Sequence, residues 1–354
     1  MKKYLSYSLS GVAILLLAGG LSSCKKEDAA LSLASSSSAK PNLTVGLPPI
    51  LMGWGPGTSI PYTDGIPNDV VTNNIYPRGF AINGKGYVCG SILVGTRTAS
   101  VSIGDLWQWD PATKVWTQKA TCPRIGDQLV GCVNFVIGDN AYFVIGTETW
   151  QYNQPTDIWT QKSSVASPHR FDGTGFALNG KGYIGLGINQ DAQGAGTVDL
   201  NDWWEYDPTL DRWTQKGNFA GNSRDGAGGF AIDGKGYVVS GYHSAGQTGE
   251  WGRTVWQYDP TSDQWAEKAK FPGTARVDAV AANATIGGAD VGLFVGGELE
   301  NGAGGDSWEY YPPNDSWARL PNGGGGLRSQ AAGFVIGNSL YVANIAVIIL
   351  GWSR

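Results

Sequence analysis

Residues 105–118 read Asp-Leu-Trp-Gln-Trp-Asp-Pro-Ala-Thr-Lys-Val-Trp-Thr-Gln, and the phrase returns at 148–161, 202–215, 254–267 and 306–319. A second phrase, Gly-Phe-Ala-Ile-Asn-Gly-Lys-Gly-Tyr-Val, interleaves with it at 79–88, 175–184, 229–238 and 333–342, with looser copies at 134–143 and 284–294. Internal repetition decides the architecture before any single residue is interpreted.

Working outward from these phrases, each unit holds four short segments rich in aromatic and β-branched residues, which reads as four strands, A to D. Asn83-Gly84, Asn179-Gly180 and Asp233-Gly234 join A to B. Such pairs accept the positive φ angles of a tight hairpin turn. C and D are joined by Asp-Pro-Thr-x-Asp, as at Asp259–Asp263, another turn signature. A lone four-stranded meander cannot bury both faces, and stacking the units around an axis, as a β-propeller, does so. The spaced tryptophans, Trp107/Trp116 through Trp308/Trp317, then fall to packing between units. Tyr87, Tyr142, Tyr183, Tyr237, Leu293 and Tyr341 mark six units, of which five carry strands C and D. The sixth breaks off after Val342, so closure falls to the apolar tail, to residues 43–55, or to both.

A Gly-Tyr-Val strand, then Trp-x-Tyr-Asp-Pro, then a Trp five residues on, resembles the kelch repeat over residues 77–342. The resemblance implies an all-β fold: a six-bladed kelch β-propeller of four-stranded antiparallel blades, the last irregular. On function it is nearly silent, because kelch propellers host oxidases, sugar epimerases and pure binding modules.

Met1-Lys2-Lys3, an apolar run from Val12 to Ala18 and Leu21-Ser22-Ser23-Cys24 form a secretory leader too short to span a membrane. The last four resemble a bacterial lipoprotein box, which implies lipidation at Cys24 and removal of 1–23. Lys25-Lys26-Glu27-Asp28 resembles the tag of Bacteroidetes surface lipoproteins. The expected organisation is leader 1–23, lipid-anchored tether and closing strand 24–60, and propeller 61–354, located at the outer membrane or cell surface. The formal charge is −5, and removing Lys2 and Lys3 makes it more negative by two. With no basic cluster, nucleic-acid binding is disfavoured. Cys89, Cys122 and Cys132 show no Cys-x-x-Cys spacing, so no zinc site is expected. They read as buried free thiols.

Topology sorts the loops. The A–B and C–D turns share one end. The B–C loops and D-to-A linkers share the other, which carries the long, dissimilar segments 91–104, 188–201, 242–253 and 298–305. Varied loops on a rigid scaffold are where binding sits. Arg170, Arg224 and Arg328 each fall six residues before a strand-A Phe, and Arg276 fits with a small insertion. Equivalent positions converge on the axis, so these arginines are expected to ring the channel mouth and favour carboxylates. The alternative is that each pairs with an Asp and braces the blades. The candidate ligand-binding set is Arg170, Arg224, Arg276, Arg328, His169, His243, Glu250 and Trp251, with no metal and no cofactor. Two histidines do not supply the copper set of galactose-oxidase-like kelch enzymes. The expectation is a non-enzymatic, monomeric propeller binding a glycan or a protein. The second reading is a sugar mutarotase or epimerase of the sialic-acid type, by analogy with exported kelch propellers. A closed cleft of converging charges at the loop-rich end, against a flat rim, separates the two.

Overall fold

A computed structural model of the chain describes residues 71–96, 99–124, 131–189, 198–244, 249–321, 331–344 and 348–351. The fold is an all-β propeller. Five four-stranded antiparallel sheets follow one another along the chain, each a meander A-B-C-D. Blade 1 comprises Val71–Ile82, Lys85–Thr96, Ala99–Asp110 and Val115–Lys119. Blade 3 comprises Thr174–Leu178, Lys181–Gly185, Trp203–Asp207 and Arg212–Lys216. Blades 2, 4 and 5 begin at Val133, Gly228 and Val280. The sixth sheet has three strands, Ala332–Ile336, Ser339–Asn344 and Ile348–Gly351. The apolar tail thus supplies its third strand, by pairing Val342 with Leu350. Residues 43–55, Cys24 and the leader lie outside the described residues.

The hairpin chemistry is as the sequence predicts. Asn83, Asn179 and Asp233 take φ of 51°, 52° and 51°, and the glycines after them 71°, 74° and 72°. One loop differs. Residues 91–96 and 99–104 continue strands B and C of blade 1 as a long ladder, from Ser91 opposite Gly104 to Thr96 opposite Ala99. The β-branched residues Ile92, Val94, Thr96, Val101 and Ile103 favour that extension.

The repeat phrases are explained by what lies between blades. Phe135 of blade 2 lies where a Cβ on Gly182 of blade 3 would stand, 2.2 Å from its ring atoms. Phe176 meets Gly236 in the same way, and Phe230 meets Gly292. These three Phe therefore pack into notches that glycine leaves open; at the blade 1–2 junction Ala141 stands at the glycine position, in the cluster with Phe80. The same contact closes the ring: Phe334 of the sixth sheet sits over Gly86 of blade 1, within a cluster that includes Val88, Trp109 and Trp116.

A second device ties successive blades at the rim. Asp157, Asp211, Asp263 and Asp315 end the C–D turns with φ of 56°, 47°, 56° and 48°. Each accepts a hydrogen bond from a tyrosine in its own blade: Tyr152 at 2.8 Å, Tyr206 and Tyr258 at 2.7 Å, Tyr310 at 2.6 Å. Each also accepts a backbone N–H from the end of the preceding blade, at Ala120, Ser163, Gly217 and Ala269, over 2.9 to 3.0 Å. Trp159, Trp213 and Trp317 donate their indole N–H to the carbonyls of Ala120, Ser163 and Ala269. Backbone donor and acceptor are thus captured together at three junctions. Burial pushes the Asp211 carboxyl up, but the Ser163 N–H, the Tyr206 hydroxyl and Lys162 outweigh it and hold it below the usual carboxylate range. In blade 1, Lys114 (φ 58°) and Trp109 stand in place of the Asp and the Tyr.

The three thiols Cys89, Cys122 and Cys132 are free and buried in the blade 1–2 core. Burial pushes the Cys122 thiol up to about 12, so it stays protonated and inert.

Candidate functional site

The linker arginines share one local design. Arg170, Arg224 and Arg276 run inward beneath the loops and donate Nη1 to the carbonyls of Leu186, Ser240 and Gly296, at 2.6, 2.9 and 2.9 Å. They do not ring the channel, which corrects the sequence expectation. Arg170 and Arg276 are wholly buried, and each binds the acid two residues before the strand-C Trp: Asp202 at 2.7 Å and Asp306 at 2.5 Å. The same acids accept the indole N–H of Trp204 and Trp308. The guanidinium and the indole thus share one carboxylate. Arg170 and Arg276 are braces. Arg328 lies outside the described residues.

Among the described residues the channel mouth gathers carboxyl groups around Arg78. A cavity of about 610 Å³ runs between the inner strands, lined by small residues such as Gly79, Gly175 and Gly229 together with Arg78. At its linker end Asp172, Asp225 and Asp278 gather. Burial, then the neighbouring carboxylates, pushes Asp225 and Asp278 up to about 7.

Arg224 departs from its equivalents. It is 5% exposed, yet the position of Asp202 and Asp306 is occupied here by Thr254, whose Oγ1 accepts Nη1 at 2.8 Å. Nε donates to the carbonyl of Asn222, and the guanidinium lies 5.1 Å from the Phe219 ring centroid. Among the described residues it makes no ion pair. Burial draws its pKa down to about 10, against the pull of Glu250 nearby.

That arginine forms one wall of a cavity of about 290 Å³ on the loop-rich end of blade 4, which also takes in His243, Glu250, Trp251, Arg253 and Lys270. A two-stranded extension of the B–C loop, Tyr242–His243 against Glu250–Trp251, builds the wall opposite. Tyr242 braces Trp251 edge-on at 5.3 Å between ring centroids. Asp199 of the blade 3 loop reaches across, 2.9 Å from His243 Nδ1. With a proton on Nδ1, that contact leaves Nε2 as the nitrogen with a free lone pair. Ser223 Oγ also approaches Nδ1, at 3.5 Å, so hydroxyl and carboxylate meet the same nitrogen and no Ser-His-Asp relay exists. Four of the sequence-predicted residues therefore converge: Arg224, His243, Glu250 and Trp251. His169 does not join them; it packs edge-on against Phe171 at the blade 2–3 boundary. Arg253, which lies in the loop-rich segment 242–253, joins the four, and Lys270 and Thr254 are members of the site that the sequence reading missed. For Thr254, the departure from Asp at 202 and 306 is a signal present in the aligned repeats.

No family model matches the chain, and no curated protein matches it. Among solved structures the chain is similar to one titled "Structure of YjhT", at 19% identity and a TM-score of 0.53, over 61% of this chain and 72% of that one. At that identity the likeness bears on the fold alone, and it agrees with the propeller.

Proposed function

We propose that this protein is a surface-anchored propeller of the kelch type, with the three-stranded sheet as its sixth blade, that binds a carbohydrate in the cavity on blade 4. The observation that carries the reading is the convergence of a braced, half-buried Trp251 with polar and charged groups in one cleft. An aromatic face beside hydrogen-bonding groups suits a sugar ring, whose C–H face stacks while its hydroxyls bond. A protein partner needs an extended surface of roughly 800 Å² on each side, which a cleft of this size does not offer. The second reading, a mutarotase or epimerase, draws support from the cleft being concave and from His243 and Glu250 lining it, since ring opening needs an acid and a base. A glycan array probed with the full chain tests the first reading. Retention of specific sugars that Trp251→Ala abolishes is the expected outcome; an array without hits, or hits unaffected by that change, removes it. Proton-exchange NMR on the anomeric signals of a bound sugar tests the second. Anchoring rests on the Leu21–Cys24 box, and Cys24→Ser is expected to release the protein from the membrane fraction.

A further inference from the structure

In blades 3 and 5 one carboxylate answers two buried donors, a guanidinium and an indole N–H. Blade 4 keeps both donors and lacks the acid. Arg224 has only a hydroxyl and carbonyls, and the Trp256 Nε1 is buried without a partner. The guanidinium and the indole thus both lack the acceptor that the acid supplies in blades 3 and 5. A buried guanidinium without a counter-charge is costly, and a fold that repeats the brace has the acid ready to hand. What distinguishes this position from Asp202 and Asp306 is the cavity beside it. Arg253 and Lys270 add two cations to its lining and Glu250 one acid, so an entering ligand meets net positive charge.

We propose that the cavity binds a carboxylate-bearing ligand, a sugar acid, whose anion supplies to Arg224 the counter-charge that Asp202 and Asp306 supply to its equivalents. Thr254 is the specificity-determining residue, because its hydroxyl holds Nη1 in place without neutralising it. The proposal deepens the carbohydrate reading and rests on the same cavity.

The test uses the full chain, calorimetry and thermal melting, with glucuronate and galacturonate oligosaccharides against their neutral glucose and galactose counterparts, and with acetate alone at fixed ionic strength. The acidic sugars are expected to bind at least tenfold tighter than the neutral ones. Thr254→Asp is expected to abolish that preference while raising the melting temperature, because the new carboxylate pairs with Arg224. Arg224→Gln, as a second variant, loses the preference without the stabilisation. Equal binding of acidic and neutral sugars overturns the proposal, as does a Thr254→Asp protein that keeps the preference or melts lower than the parent. Should no sugar bind while acetate raises the melting temperature of the parent and not of Thr254→Asp, the carbohydrate reading falls and the anion site stands. With no response to sugar or acetate, both fall.

Discussion

Asp211 sits at the end of a turn where few residues other than glycine are comfortable, at φ 47°. Asn and Asp tolerate that conformation best, since their short side chains bond locally. The carboxylate then joins Tyr206 of its own blade to the Ser163 amide of the preceding one. Asp211→Ala is expected to cost about 1–3 kcal/mol, from the lost bonds and the strained backbone, read as a lower denaturant midpoint. An unchanged midpoint would show the clamp to be ornamental. Arg276 offers a contrasting test. Removing it empties a fully buried site and leaves the half-buried Asp306 and the Gly296 carbonyl without their donor, which should cost about 3–5 kcal/mol and leave ligand affinity on blade 4 as it was. Lost affinity with unaltered stability would return Arg276 to the site. These roles were partly legible in the sequence. The aspartate at 157, 211, 263 and 315 recurs in every turn but the first, yet its partner is a blade away. A repeat phrase shows which positions matter and not whom they touch.

At the level of strands and turns, the A–B hairpins and the B and C strands follow directly from the residues, because Asn-Gly and Asp-Gly turns and β-branched alternation are local signals. The extension of blade 1 was also legible, since Ile92, Val94, Val101 and Ile103 alternate as a strand does, but its length between two repeat phrases reads as a loop. The arginines were misplaced because side-chain direction, inward or toward the axis, is a property of the packed linker. The mouth linkers carry a consequence for pH. The folded-state pKa of Asp225 and Asp278 is raised to about 7, above the ordinary value near 3.9. A raised carboxylate favours the folded state when protonated, so these two weaken the fold as pH rises from about 4 through 7. The rim clamps have the opposite sign: Asp157, Asp211 and Asp315 are held low, and their contribution is lost as pH falls below about 4. Melting temperature is therefore expected to peak in weak acid. Asp225→Asn with Asp278→Asn should flatten the decline toward pH 8 and leave the acid limb alone. A decline that persists in the double variant would place its origin elsewhere.

For the molecule as a whole, the inter-blade Phe-into-glycine contact joins the sixth sheet to blade 1, while the aspartate clamp does not. Blade 1 carries Lys114 and Trp109 at the clamp positions. The junction between the sixth sheet and blade 1 therefore rests on the cluster around Phe334, Val88 and Trp109, without the backbone capture that Asp157, Asp211, Asp263 and Asp315 provide elsewhere. Replacing Phe334 by Ala should cost about 3–5 kcal/mol, as for any buried aromatic, and open this junction first. Amide hydrogen exchange at Ala332–Ile336 is expected to outpace that at Gly228–Ile232, the equivalent strand of blade 4; equal rates would contradict a weak closure. A closed ring left unclamped where its ends meet behaves like a bracelet with a clasp. Pulled from its two termini, the chain should part at that clasp before any blade is stretched, and then surrender its blades one at a time, each step held by the next tyrosine–aspartate lock.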